Sequence, residues 1–99
     1  MKYQLVLQWP ASSIKHYDAM IEVEDVLVKR LTSDSGVDGH DAGSREINIF
    51  IHTGDPVRAF NEVKTILGSR DFWLDARVGY RELSGSEYTI LWPKDLREL

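Results

Sequence analysis

Between Arg45 and Thr53 the chain reads R-E-I-N-I-F-I-H-T. Ile47, Ile49 and Ile51 alternate with Asn48, Phe50 and His52, the period of two that sends successive side chains to opposite faces of a sheet. One face is wholly apolar and the other is mixed, so this strand belongs to a sheet covered on one side only. Asp55-Pro56 then ends the strand and opens a helix. The aspartate accepts from free backbone donors, and proline fits the first helical turn.

Upstream, Ser35 to Asp41 is the expected partner strand, joined through Ala42-Gly43-Ser44, with Gly43 suited to a positive φ in the turn. A three-residue loop would set Asp41 against Arg45, Gly39 against Ile47 and Val37 against Ile49. Val37 would then face the core, with Asp38 and His40 on the open face near Glu46 and Asn48. A two-residue loop reverses all of these and buries Asp38 and His40, at a cost of several kcal/mol, about 2–7 per group, unless they are paired. The first register is the expected one.

The remaining elements follow from the same periods. Lys2 to Trp9 alternates, with Tyr3, Leu5, Leu7 and Trp9 on one face, and Pro10 stops it. Ser12 or Ser13 can cap a helix reaching Leu31. Its apolar stripe holds Ile14, Tyr17, Met20, Ile21, Val23, Leu27, Val28 and Leu31, with Lys29 and Arg30 favourably placed at its C-terminal end. Glu24 falls near the middle of that stripe. Pro56 to Leu67 makes a second amphipathic helix, stopped by Gly68, and a turn through Ser69-Arg70-Asp71 follows. Asp75 to Leu83 reads as a strand with Ala76, Val78 and Tyr80 on one face and Arg77, Gly79 and Arg81 on the other. A hairpin at Ser84-Gly85-Ser86 leads to Glu87 to Trp92, with Tyr88, Ile90 and Trp92 sharing a face. Pro93 ends it, and residues 94–99 form a short charged tail.

The 99 residues suit one domain, 1–99, with a modest core. The order β-α-β-β-α-β-β, with two helices on one face of an antiparallel sheet, is that of an α+β fold of the ferredoxin-like split βαβ kind with an added edge strand. Right-handed crossovers give the sheet order Ser35–Asp41, Arg45–Thr53, Lys2–Trp9, Asp75–Leu83, Glu87–Trp92. Such a fold licenses no function by itself.

The run D-G-H-D-A-G-S-R-E-I-N-I-F-I from Asp38 to Ile51, with Asp55-Pro56, Tyr80-Arg81 and Leu91-Trp92-Pro93, resembles a set of short stand-alone bacterial proteins of unassigned function. The resemblance covers nearly the whole chain. It implies a self-contained domain and carries over no activity and no catalytic residue.

Composition narrows the function classes. The absence of cysteine removes disulfides, thiolate metal sites and cysteine nucleophiles. A formal net charge of −4 argues against nucleic acid, which needs a basic footprint. No apolar run matches a signal peptide or a membrane span, so a cytoplasmic protein without a membrane partner is expected. No serine-hydrolase elbow or phosphate loop is present, and no cofactor is implied.

Three groups of residues are the candidates. Asp38, His40, Asp41 and Glu46, with His52, offer imidazole and carboxylate, ligand types for zinc or manganese, although their spacing matches no metal motif. The plainer reading gives Asp38 and Asp41 to the turn and leaves His40 solvated. Glu24, facing a sheet, is either an acid or base or a carboxylate satisfied by the backbone or by a tyrosine such as Tyr3 or Tyr80. The open face would carry Gln4, Gln8, Asn48, Phe50, His52, Arg77 and Arg81, a mixture that suits a protein partner or a second copy better than RNA. The reading taken is a small non-enzymatic interaction domain, inhibitor-like or immunity-like. Its surface is Asp38, His40, Asp41, Glu46, Asn48, Phe50 and His52. The alternative is a small dimeric enzyme or metal-binding protein using His40, His52 and Glu24.

Overall fold

The computed structural model of the protein describes residues 2–11, 17–31, 35–43, 45–68 and 75–93. Along them run β1 (Tyr3–Pro10), α1 (Tyr17–Arg30), β2 (Ser35–Ala42), β3 (Glu46–Thr53), α2 (Pro56–Leu67), β4 (Arg77–Glu82) and β5 (Thr89–Trp92). The strands form one sheet in the order β2-β3-β1-β4-β5, and every neighbouring pair is antiparallel. The architecture is α+β, two helices against a five-strand antiparallel sheet. The capping of the first helix by Ser12 or Ser13, its residue Ile14, the Ser69-Arg70-Asp71 turn and the tail at 94–99 lie outside the described residues, as do His16, Ser44 and the Tyr17 side chain.

The alternation seen in β1 and β3 builds the core. Leu5, Leu7 and Trp9 stand opposite Ile51, Ile49 and Ile47, and paired residues share a face. Ala76, just before β4, and Val78 on it continue that layer. Met20, Val23 and Leu27 of α1 and Ala59, Phe60, Val63 and Leu67 of α2 pack onto it in a single cluster, so both helices cover the same face. Leu5, Leu7, Trp9, Ile49 and Ile51 are wholly buried there.

The start of α2 shows how local chemistry fixes an element. Asp55 lies outside helical geometry, and its carboxylate accepts from the Arg58 backbone N–H at 3.1 Å, with Pro56 in the first turn. The Thr53 hydroxyl, fully buried at the end of β3, accepts from the Asp55 N–H at 3.1 Å and from the Ser35 hydroxyl at 2.9 Å. The exit of β3, the entry of β2 and the cap of α2 are thereby tied together.

The structure corrects several expectations. The β2–β3 register is neither of the two considered. Ala42 pairs with Ile47, Asp41 with Asn48 and His40 with Ile49. The register then shifts, so that Gly39 pairs with Phe50 and Val37 with Ile51. Asp38 is the extra residue of a bulge, and Gly39 beside it takes a φ of 144°, a conformation that suits glycine. One extra residue reverses the alternation, so Val37 faces the core as expected and His40 does too. A second shift, between Val78 and Gly79, acts on β5 in the same way. Ile90 pairs with Gly79 on the open face, while Trp92 pairs with Val78 and packs on the core. Trp92 and Ile90 therefore do not share a face, and β5 begins at Thr89 rather than Glu87. On α1, Val28 is 62% exposed, so the apolar stripe is narrower than the spacing suggests.

Candidate functional site

The pairings arrange the face away from the helices into rows across the strands. One row runs Gly36, His52, Gln4, Arg81. The next runs Gly39, Phe50, Val6, Gly79, Ile90. The third runs Asp41, Asn48, Gln8, Arg77, with Glu46 beyond it opposite Pro10. An apolar stripe, half-exposed at Phe50 and Ile90 and buried at Val6, thus lies between two polar rows. Each polar row goes from acid on the β2 side to arginine on β4. The Asp38 carboxylate joins the first row through His52, whose Nε2 lies 3.3 Å from Asp38 Oδ2. Asp41, Gly43, Arg45, Glu46 and Asn48 line a shallow depression beside the hairpin tip.

Of the residues singled out from sequence, Asp38, Asp41, Glu46, Asn48, Phe50 and His52 come together on this face. His40 does not. It reaches past β2 to α1, where its Nδ1 lies 3.0 and 3.1 Å from the two oxygens of Glu24. A carboxylate only accepts, so the hydrogen sits on Nδ1. The two side chains keep 27% and 15% of their surface exposed, and the pair lies beside the core. Two residues that sequence reasoning treated separately, an acid inside an apolar stripe and a histidine in a turn motif, are therefore each other's partner. The signal was present in Glu24. A carboxylate aimed at a sheet needs a donor, and the nearest strand to α1 is β2. What the sequence concealed was the parity of β2.

Gln8 also carries more than its residue type announces. It is 6% exposed, although it lies on the face without helices. Its Nε2 donates to Glu46 Oε2 at 3.1 Å and to Asn48 Oδ1 at 3.2 Å. The Glu46 carboxylate can only accept, so turning the amide round would lose that bond. Its Oε1 is left buried, and among the described residues nothing donates to it. A buried acceptor without a partner costs about 1–3 kcal/mol. Across the strand from Gln8 is Arg77, half-buried.

The chemistry these groups can perform follows from their placement. Among the described residues no three His, Cys, Asp or Glu side chains stand together as a metal-holding group. His40 with Glu24 and His52 with Asp38 form two imidazole–carboxylate pairs on opposite sides of the sheet. They cannot act on one substrate atom. The larger hollows lie elsewhere: one of 530 Å³ along the outer side of α2 beside Arg30, and one of 570 Å³ by Tyr3, Tyr80 and the β4–β5 turn. No helix among the described residues is long and apolar enough to cross a membrane. Comparison with protein-family models, with curated proteins and with solved structures yields no match to this chain.

Proposed function

We propose that this chain is a non-enzymatic protein-interaction domain, and that it binds through the sheet face opposite its helices, with the β2–β3 hairpin as one margin. The carrying observation is that Phe50 and Ile90, both half-exposed, share one row of that face between two polar rows that carry Asp41, Asn48, His52, Arg77 and Arg81. The apolar stripe of Phe50, Val6 and Ile90 between polar rows has the make-up of a protein interface, with an apolar centre and a polar margin. An inhibitor-like or immunity-like role would use such a surface. The charge of −4 speaks against nucleic acid as the occupant. We read the architecture as a ferredoxin-like split βαβ with one added edge strand. Each helix joins two strands that have a third between them, β3 between β1 and β2, and β1 between β3 and β4. A cytoplasmic setting fits a chain that carries no cysteine.

The enzyme or metal-binding reading built on His40, His52 and Glu24 has weaker support, because the sheet stands between the two histidines. The interaction reading is tested by placing a benzophenone amino acid at position 50, and separately at position 28 on the exposed flank of α1. Irradiation of cells that make the protein should yield protein adducts from position 50 and not from position 28. Adducts from neither, or equally from both, would overturn the assignment of the face.

A further inference from the structure

Apart from the sheet face and independent of its reading, we propose that the hollow where β1 begins and β4 ends binds a primary ammonium group carried on an alkyl chain. The hollow measures 570 Å³ and is lined by Tyr3, Tyr80, Arg81, Glu82, Glu87 and Thr89 together with the turn between β4 and β5. The register places it. Tyr80 pairs with Leu5 and with Thr89, and Tyr3 pairs with Glu82, so Tyr3, Tyr80, Glu82 and Thr89 stand on the helix side of the sheet. No residue of α1 or α2 lines the hollow, so the helices leave this corner of their own side uncovered.

Two features select the ligand. The first is aromatic. The Tyr3 and Tyr80 rings lie 5.7 Å apart between centroids and meet at 84°. Rings at right angles enclose a corner whose walls are ring faces, and a ring face carries the negative part of the quadrupole. A cation is attracted there and an anion is not.

The second feature is charge. Glu82 and Glu87 are exposed at the hollow, and neither has an ion-pair partner among the described residues. Arg81 is the cation of the lining. Its Nη1 donates to the carbonyl oxygens of Glu82, Leu83 and Gly85 at 3.2, 3.3 and 3.0 Å, which holds the turn that frames the hollow. Two carboxylates against one guanidinium leave the lining acidic. Lys2 belongs to the adjoining hollow, with Tyr3, Glu82 and Leu83. An ammonium group brings only donors, and the carboxylates of Glu82 and Glu87 and the hydroxyl of Thr89 are the acceptors that suit it. The rings flank the charge and the methylenes next to it. Such a group comes either from a free alkylamine or from a lysine side chain of another protein, and the chemistry of recognition is the same.

The test is an NMR titration of the isotope-labelled full chain with butylammonium chloride, and with sodium butyrate as the anion of like size, at matched ionic strength. The titration runs to about 50 mM, beyond the dissociation constant of about 1–10 mM expected for so small a ligand. Butylammonium should move the backbone amide signals between Tyr80 and Thr89 and leave those of α2 in place, and butyrate should move neither. Glu82→Gln and Glu87→Gln, both at exposed positions, should each weaken binding roughly two- to fivefold. Tyr80→Leu should weaken it by a similar factor, roughly two- to fivefold, through loss of the ring. The dispersion of the same spectra reports whether Tyr80→Leu is folded, and the glutamine variants carry the test if it is not. Unmoved amides between Tyr80 and Thr89 would overturn the proposal. So would a response to butyrate equal to that to butylammonium, or glutamine variants that bind as tightly as wild type. Nα-acetyl-lysine methylamide separates the sources once butylammonium binds. Tighter binding than butylammonium assigns the site to a lysine side chain of a protein, and weaker binding assigns it to a free amine.

Discussion

Glu24 and His40 are the residue-scale centre of the fold. Each alone would be an awkward choice, a carboxylate in the apolar stripe of a helix and an imidazole on the core side of an edge strand. Together they satisfy one another at 3.0 Å and tie α1 to β2. Truncating either breaks the bond between them, and losing a partly buried hydrogen bond of this kind costs about 1–3 kcal/mol. Glu24→Ala and His40→Ala should therefore each lower the unfolding free energy by about that much, while the double variant should lose clearly less than the sum. Urea midpoints of the four proteins provide the cycle. Additive losses would mean that the pair contributes nothing as a pair. A stability loss in His40→Ala also bears on any binding assay with that variant. His40 packs under the hairpin, so lost binding would first have to be separated from lost folding.

At the scale of elements, the bulge in β2 decides more than any other local feature. It lets one strand present Val37 and His40 to the helices and Asp38 and Asp41 to the open face, which strict alternation forbids. Two glycines flank it and should answer substitution in opposite ways. A Cβ at Gly36 or at Gly39 would meet nothing within 4 Å. Space is therefore equal, and the backbone sets the difference. Gly39 holds a φ of 144°, which side-chain-bearing residues rarely adopt. Gly39→Ala should cost about 1–3 kcal/mol from strain. Gly36→Ala should be neutral or stabilise by about 0.4–1 kcal/mol, by restricting the unfolded chain. Thermal unfolding of the two variants side by side measures this, and equal effects would contradict the bulge. The shift in β4–β5 works similarly, sending Trp92 to the core and Ile90 to the open face.

At the scale of the whole molecule, the sheet has one face packed on the helices and one face that we propose for binding. Trp9 is wholly buried against the helices, and Phe50, one strand away on the opposite face, is half-exposed. Trp9→Ala should cost about 3–5 kcal/mol, a large part of the roughly 5–15 kcal/mol that holds a domain together. Phe50→Ala should cost less, about 1 kcal/mol or under, because the ring is half-exposed. Denaturant titration in dilute solution checks the contrast. A large loss from Phe50→Ala there would mean that the open face belongs to the core.

Much of this was legible in the residues alone. Ile47, Ile49 and Ile51 against Asn48, Phe50 and His52 determine which face of β3 is buried. Leu5, Leu7 and Trp9 do the same for β1, and Asp55-Pro56 marks where α2 starts. These signals are local, carried by the period of a strand or by a cap that one residue offers its neighbours. The tertiary structure alone decided the parity of β2 and β5, the partnership of Glu24 with His40 and the burial of Gln8. A bulge moves one residue without altering composition or hydrophobic pattern, so no periodicity announces it. The meeting of side chains 16 residues apart on a helix and a strand depends on that shift. Gln8 is the same amide in any strand. Its unpaired oxygen arises only once Glu46 and Asn48, 38 and 40 residues away, have claimed its nitrogen.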